Sequence, residues 1–357
     1  MTAPSRISRL LWLALVPVTV VVEYWLPDHH LLIFATSCAA VVPLARLIGD
    51  ATADLAGRIG EGLGGLLNAT FGNAAELVIG AFALRRGLTD LVKASLTGSI
   101  IANVLLVFGV AAIAGGIRRP IVTFNRTAAG LGTTMLLLSA IGLVVPATFH
   151  LLSRTEAVGV ELRLDTEIAG VLFATYFLYL FFALKTHRNL YTGAAEAGKS
   201  HGTAWPSILK LMLATTAVAV VSEALVGSVE VAARAMGTTE LFAGVVVVAL
   251  VGNAAEHYSA VSLAWKGQMD AALQIAVGSS TQIALFVAPA LVFLSYAIGN
   301  TPMDLLFTVF EVMAVTLAVL IISFIAHDGE THWMEGVQLL AVYVILALGF
   351  YFLPSSP

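Results

Sequence analysis

Long apolar segments constrain the fold of this 357-residue chain more than any other feature. A helix needs about 20 predominantly apolar residues to cross a bilayer, whereas a strand of a transmembrane barrel needs only about 9–11. Eleven segments meet the helical requirement, near residues 10–26, 30–47, 63–85, 91–116, 124–148, 166–184, 207–230, 238–264, 271–298, 303–326 and 333–353. The sequence therefore predicts an all-α, polytopic membrane protein with eleven transmembrane helices.

The composition excludes several classes of protein. Hydrophobic residues make up 59% of the chain and charged residues 11%, whereas soluble domains carry about 25% charged residues. Nucleic-acid binding needs clustered Lys and Arg, which this chain lacks. The single cysteine, Cys38, excludes a disulfide framework and a thiolate metal cluster. We expect a protein surrounded by the lipid bilayer that binds no nucleic acid, and the sequence indicates no oligomeric state.

The distribution of Lys and Arg predicts the orientation, because cytoplasmic loops carry an excess of both residue types. With the N-terminus in the cytoplasm, twelve of these residues fall on the cytoplasmic side and six on the opposite side. The sequence thus predicts a cytoplasmic N-terminus and, after eleven spans, a C-terminus outside.

A shift of 180 residues superimposes two parts of the sequence without a gap. Residues 72–76 and 252–256 both read GNAAE, and Gly98-Ser99 falls on Gly278-Ser279. Both copies place the serine 23 residues after the glutamate, so chance is a poor explanation. The copies lie in the third and eighth segments. Because five spans separate them, an odd number, they should cross the membrane in opposite directions, as in the inverted repeats of secondary transporters.

The repeat also predicts the domain organisation. Residues 1–29 form an extra transmembrane helix, residues 30–184 a first five-helix repeat and residues 206–357 a second. The polar segment 185–205 between them predicts a cytoplasmic linker, in which Glu196 is the only acidic residue.

Glu76 and Glu256 are the strongest functional candidates. Glu76 lies nine residues from Arg85 at the end of its segment, which is about 13 Å at ~1.5 Å per residue and close to the bilayer centre. Glu256 lies ten residues from Lys266, at a comparable depth from the other face. An ionisable side chain at that depth is costly and indicates function. A protonated glutamate that bonds neighbouring helices is the alternative, but two matched copies favour function.

The remaining polar residues of these segments supply oxygen atoms. They are Asn73 and Asn253 beside the glutamates, Ser99 and Asn103 on one face of the fourth segment, and Ser279 and Gln282 in the ninth. An all-oxygen site suits Ca²⁺, with its ~6–8 flexible ligands, and no HExxH spacing suggests Zn²⁺. Two carboxylates balance one divalent cation or two protons. Ca²⁺ and H⁺ would therefore compete for the same oxygens, as an exchanger requires.

Several motifs carry a resemblance to a known family. They are GLLNATFGNAAEL (65–77), SLTGSIIANVLLVFG (95–109), FNRTA (124–128), SEALVGSVE (222–230), GNAAEH (252–257) and GSSTQIALFVAP (278–289). In these the sequence resembles the cation/proton exchanger (CAX) family of the Ca²⁺/cation antiporter superfamily, of bacterial type. The resemblance implies exchange of Ca²⁺, and in some members of other divalent cations, for H⁺ across the bacterial inner (plasma) membrane. It also implies one plus five plus five spans, no enzymatic activity and no cofactor, since the ions are the transported substrates.

The resemblance assigns the ion-binding glutamates to Glu76 and Glu256 and the neighbouring ligands to Asn73, Asn253, Ser99, Asn103, Ser279 and Gln282. Sodium-coupled relatives usually carry a GTS-x-PE type motif where this chain has GNAAE, which favours protons as the coupling ion. Four further acids, Asp50, Glu223, Glu230 and Glu311, are candidates for gating, for passage of ions to the site, or for structural pairing. A Na⁺-coupled exchanger and a passive cation channel are the alternative functions. An intramembrane enzyme would need a nucleophile–base pair or a bound metal, and the sequence indicates neither.

Overall fold

The computed structural model of the protein describes residues 13–59, 70–153, 158–187, 204–298 and 301–354. Within these residues, eight helices are long and apolar enough to cross a membrane, and one bent pair of helices adds a ninth span. The first and third predicted spans correspond to shorter helices, and residues 63–69 of the third lie outside the described ranges. The chain is thus a helical membrane protein, and the count of eleven spans stays a prediction.

The helices follow one another with short connections. The part of the chain before the predicted linker contains α1 (Leu15–Trp25), α2 (His30–Ile59), α3 (Ala74–Arg85), α4 (Thr89–Gly116), α5 (Arg126–Ser153) and α6 (Gly159–Thr186). The part after it contains α7 (Trp205–Ala235), α8 (Glu240–Gly252), α9 (Ala254–Trp265), α10 (Met269–Ile298), α11 (Val309–Asp328) and α12 (Trp333–Phe352). Of the linker, residues 188–203 lie outside the described ranges.

Helix boundaries differ from the predicted spans where polar and apolar residues share one helix. Helix α2 continues past residue 47 to Ile59, because its helical hydrogen bonding does not end where its apolar run ends. Helix α11 begins at Val309 rather than at residue 303, since the Thr308 side chain caps its N-terminus. The preceding apolar residues, Met303, Leu305 and Phe307, are buried in an extended segment instead.

Helix α4 lies at the centre of the molecule and is the most buried of the long helices described. Its crossing with α8 is close: a Cβ atom on Gly98 would overlap the Val245 carbonyl oxygen, and one on Gly244 would lie 2.6 Å from Ala94 Cβ. Small residues allow helix backbones to approach in this way. The crossing therefore brings one helix from each half of the sequence into direct contact.

Helices α5 and α11 run in opposite directions. Arg126 at the start of α5 contacts His327 in the last turn of α11, with 3.4 Å between Arg126 Nη2 and His327 Nε2. Next to this contact, strands β1 (Val122–Thr123) and β2 (Glu330–Thr331) pair antiparallel. These two helices occupy matching places in the 180-residue shift, so two matched segments of the chain run in opposite directions.

Three helices near the centre contain a wide π-helical turn. The turns lie at Ala102–Val107 in α4, Ala243–Val248 in α8 and Ile283–Val287 in α10. A π turn inserts one extra residue per turn and rotates the side chains that follow, and such turns are frequent at functional sites. The turns in α4 and α10 fall at matching places in the 180-residue shift.

Candidate ion-binding site

Both GNAAE motifs interrupt a helix at their asparagine. Asn73 (φ −102°, ψ 23°) precedes α3, and Asn253 (φ −94°, ψ 14°) separates α8 from α9, where the chain bends by 60°. Helices α3 and α9 begin at matching positions, two residues before their glutamates. Glu76 and Glu256 therefore occupy the first turn of a helix, where the helix dipole stabilises a negative charge.

The two glutamates face a common region between the halves of the chain. Glu76 is 8% exposed, and one carboxylate oxygen of each glutamate is buried. Glu76 also packs on the backbone of the other motif, because a Cβ atom added to Gly252 would lie 3.4 Å from Glu76 Oε1. The carboxylate of one motif thus lies against the glycine of the other.

The six polar residues predicted beside the glutamates form two hydrogen-bonded groups, and each group joins the two halves of the chain. Asn73 Nδ2 donates to Gln282 Oε1 at 2.6 Å, and Asn253 Nδ2 donates to Ser99 Oγ at 2.8 Å. Asn103 Nδ2 donates to Asn253 Oδ1 at 3.2 Å and to Ser279 Oγ at 3.3 Å. The structure therefore brings together residues that lie between 150 and 209 positions apart in the sequence.

Three oxygen atoms in this region are buried without a hydrogen-bond partner: Glu76 Oε2, Glu256 Oε2 and Asn103 Oδ1. A buried acceptor that makes no hydrogen bond costs about 1–3 kcal/mol, so its presence calls for an explanation. Among the described residues, no three His, Cys, Asp or Glu side chains come together. A cation here would therefore take amide, hydroxyl or carbonyl oxygens in addition to the two carboxylates.

The four acids predicted as gating candidates lie elsewhere on the helices. Asp50 on α2 and Glu223 on α7 are exposed. Glu230 on α7 forms an ion pair with Arg234, one turn further along the same helix. A gating role for these three residues stays a prediction.

Glu311 has a clear structural role. It is 2% exposed and forms a reciprocal cap with Thr308, whose backbone N donates to Glu311 Oε2 at 2.9 Å. Thr97 Oγ1 on α4 donates to its other oxygen at 3.2 Å. The structure thus favours structural pairing among the roles that the sequence left open for this residue.

Sequence reasoning missed the ion pair of a buried lysine beside this cap. Lys93, one of the six basic residues that the predicted orientation puts on the outer side, is 8% exposed in the first turns of α4. Its Nζ atom lies 2.5 Å from Asp304 Oδ1 and donates to the Leu306 carbonyl oxygen at 3.0 Å. The position of Lys93 inside the apolar segment 91–116, rather than before it, was the signal that could have revealed its burial.

The chain matches a known protein family and is similar to individual proteins. The family described as "Sodium/calcium exchanger protein" matches residues 29–185 and 206–352. A Ca²⁺/H⁺ antiporter of Synechocystis is 43% identical over 352 residues, covering 93% of this chain and 94% of that protein. The Ca²⁺/H⁺ antiporter ChaA of Bacillus subtilis is 41% identical, covering 98% of this chain and all of that protein.

Solved structures share the fold. The structure of native YfkE superimposes with a TM-score of 0.84 at 39% identity, over 97% of this chain and 100% of that chain. An H⁺/Ca²⁺ exchanger, CAX, superimposes with a TM-score of 0.70 over 97% of this chain and 92% of that one. At 15% identity, this second likeness is evidence of a common fold alone.

Proposed function

The chain belongs to the sodium/calcium exchanger protein family, and we propose that it is a secondary antiporter that exchanges Ca²⁺ for H⁺. Relatives at about 40% identity over nearly the whole chain carry this activity in their names, which supports the assignment. These relatives are transporters rather than enzymes. On this proposal Ca²⁺ and H⁺ are the transported substrates, and no cofactor takes part.

The observation that carries the proposal is the trio of buried oxygens without a hydrogen-bond partner, on Glu76, Glu256 and Asn103. Ca²⁺ binds oxygen ligands in flexible geometry, and it would give each of these oxygens the partner that the protein does not supply. A proton on each carboxyl group would instead remove the buried negative charge of the two glutamates. The same atoms can therefore hold one Ca²⁺ or two H⁺, but not both together.

The remaining ligands of this site are proposed to be Asn73, Asn253, Ser99, Ser279 and Gln282. Their support is the two groups of hydrogen bonds that join these residues across the two halves of the chain. The break before each of α3 and α9 also frees backbone carbonyl groups, which transporters use as ion ligands.

Alternating access at a site in the middle of the membrane is the mechanism that we propose. It is supported by the matched GNAAE motifs and by helices α5 and α11, which occupy matching places in the repeat yet run in opposite directions. In transporters with inverted repeats, the two halves rock around a fixed central site. On the same reasoning, we propose one extra helix and two inverted five-helix repeats, with the N-terminus in the cytoplasm of a bacterial cell and the C-terminus outside.

Uptake of ⁴⁵Ca²⁺ into proteoliposomes tests the coupling ion. We expect uptake to follow an imposed pH gradient, to reverse with the direction of that gradient and to persist without Na⁺. Liposomes with an equal Na⁺ gradient and no pH gradient are the matched control and should show little uptake. Transport that collapses when Na⁺ is removed at a constant pH gradient would instead establish a Na⁺-coupled exchanger. Flux that neither saturates nor responds to the pH gradient would indicate a channel.

A further inference from the structure

A narrow cavity leads from Glu76 along α3 toward Arg85, the end of the molecule that we call the Arg85 end. Ser99 and Ser95 on α4 supply hydroxyl groups, and the rest of the lining is mostly apolar. The cavity measures about 10 Å³, which is room for about one water molecule and too little for a hydrated cation. In this structure the route from Glu76 to the Arg85 end is therefore closed to ions.

Large apolar side chains close it. Leu91 and Val92 on α4 are 4% and 2% exposed, and Leu291 on α10 is 1% exposed. A Cβ atom on Gly80, one turn after Glu76, would lie 2.7 Å from Leu291 Cδ1. Leu291 thus rests directly on the helix that carries Glu76, and the absence of a side chain at Gly80 lets it do so.

The 180-residue shift gives the equivalent positions beyond Glu256, and these hold much smaller side chains. Leu91 and Val92 correspond to Ala271 and Ala272 on α10, and Leu291 corresponds to Ala111 on α4. The cavity-lining residues Leu96 and Ile79 likewise correspond to Ala276 and Ser259. At three other positions the larger side chain lies beyond Glu256 instead. Gly80, Ala83 and Ser95 correspond to Ala260, Leu263 and Ile275. Leu91, Val92 and Leu291, which all line the cavity, nevertheless all correspond to alanine beyond Glu256.

We propose that Leu91, Val92 and Leu291 form an apolar gate, which closes the route from Glu76 to the Arg85 end, and that closure beyond Glu256 does not depend on the matched positions, which hold alanine. Apolar constrictions block ions by excluding water, without any charged group across the path. Opening the Arg85 end requires Leu291 to leave Gly80, whereas the matched Ala111 has no large side chain that would have to move. The gate makes the two ends of the proposed exchanger unequal even though the GNAAE motifs are identical. Its role in transport rests on the proposed function, but its closure does not.

Cysteine labelling tests the gate without any need for transport. Cys38 is the only cysteine of the chain, so Cys38→Ala provides a background in which Ser95→Cys is the single thiol. We expect a charged thiol reagent to label Ser95→Cys slowly in the purified full-length protein. Adding Leu91→Ala and Leu291→Ala should raise the labelling rate about tenfold or more. Ile275→Cys, the matched position beyond Glu256, should react at the same rate with and without these two changes.

Leu84→Ala is the control for loss of packing, because Leu84 on α3 is 1% exposed and does not line the cavity. It should leave the labelling of Ser95→Cys unchanged. If the double variant fails to elute as a folded protein from gel filtration, Leu291→Ala alone serves, with a smaller but definite increase. An unchanged labelling rate in folded gate variants overturns the gate, even if the wild-type protein exchanges Ca²⁺ for H⁺. A raised rate in a protein without Ca²⁺/H⁺ exchange supports the gate and refutes the proposed function.

Discussion

The two GNAAE motifs have the same sequence but different hydrogen-bond partners. Asn253 donates to Ser99, and strict symmetry would require Asn73 to donate to Ser279. Asn73 instead donates to Gln282, and Ser279 accepts from Asn103. Inverted repeats can thus match in their motifs and still build an unequal site.

The cause lies in the helices that face the motifs. Asn103 on α4 corresponds to Ile283 on α10, and Gln282 on α10 corresponds to Ala102 on α4. Each half therefore contributes one amide for which the other half has only an apolar side chain. Both amides lie where a π turn begins, and a π turn rotates the side chains around it. Because the two amides differ by one position in the 180-residue shift, they point toward different partners. The glutamates are the symmetric part of the site, and the amides are its asymmetric part.

The largest expected effect concerns the symmetric part. Glu76→Gln and Glu256→Gln should each lower Ca²⁺/H⁺ exchange in proteoliposomes about 100-fold or more, because removing one partner of a buried charge pair costs about 3–5 kcal/mol. The double variant should be no worse, since the two ligands act as a unit. Ca²⁺ should raise the unfolding temperature of the wild-type protein and of neither single variant.

Glu167→Gln is the matched control, because Glu167 is an exposed acid paired with Arg163 on the same helix. It should leave both exchange and the effect of Ca²⁺ on unfolding intact. Near-normal exchange in either single glutamate variant would show that Ca²⁺ is not held by both carboxylates.

The asymmetric part should give the next effect. Asn103→Ile makes α4 resemble α10 at this position and removes an oxygen together with the contacts to Asn253 and Ser279. We expect the apparent Ca²⁺ affinity to fall about 10- to 100-fold, since orphaned buried polar groups cost about 1–3 kcal/mol. Asn103→Ser retains an oxygen and should recover part of the affinity. Equal affinities for Asn103→Ile and the wild-type protein would mean that the amide is not a ligand.

Identical changes at matching serines compare the two halves directly. Ser99→Ala should weaken the apparent Ca²⁺ affinity about three- to tenfold, because Ser99 is buried and accepts a short hydrogen bond from Asn253. Ser279→Ala should change it less than about threefold, because the bond from Asn103 is long, at 3.3 Å. Titration of Ca²⁺ uptake in both variants measures the difference. A larger effect of Ser279→Ala than of Ser99→Ala would contradict the expected difference between the two serines.

The smallest effect is expected where the halves are joined. Deletion of residues 193–200 removes Glu196, the only acid of the linker, and shortens the linker without changing either half. The Ca²⁺ dependence of transport should stay within about threefold of the wild-type value, because loop length alone changes free energy little. A large shift with normal expression would show that the linker regulates the site.

Much of this site could be predicted from the sequence because the repeat places the same residue types at matched positions in both halves. The 180-residue shift identified both glutamates and the region of their neighbours. It could not identify the hydrogen-bond partners, because these depend on where π turns rotate Asn103 and Gln282 and on how closely α4 and α8 cross. Rotations and crossings of this kind are set by packing between distant segments, not by local pattern.

The apolar segments do not all form the uninterrupted helices that hydropathy alone predicts. An apolar run looks the same whether it is helical or extended, so residues 303–308 were assigned to a span although Thr308 begins the helix only afterwards. The sequence could not reveal the burial of Lys93, because its partner, Asp304, is remote in sequence. A buried charge can be placed only when the group that neutralises it is known.

The ion pair of Lys93 bears on how the chain is made. The ribosome adds residues in order, and Leu306, which accepts a hydrogen bond from Lys93, lies 213 residues later in the chain. Until Asp304 has been synthesised, the acid beside Lys93 is Asp90, with Oδ1 3.8 Å from Lys93 Nζ. The start of α4 therefore reaches its final environment only late in biosynthesis. In a nascent chain that stops short of Asp304, Lys93 lacks both the acid and the carbonyl group that it contacts in the folded protein.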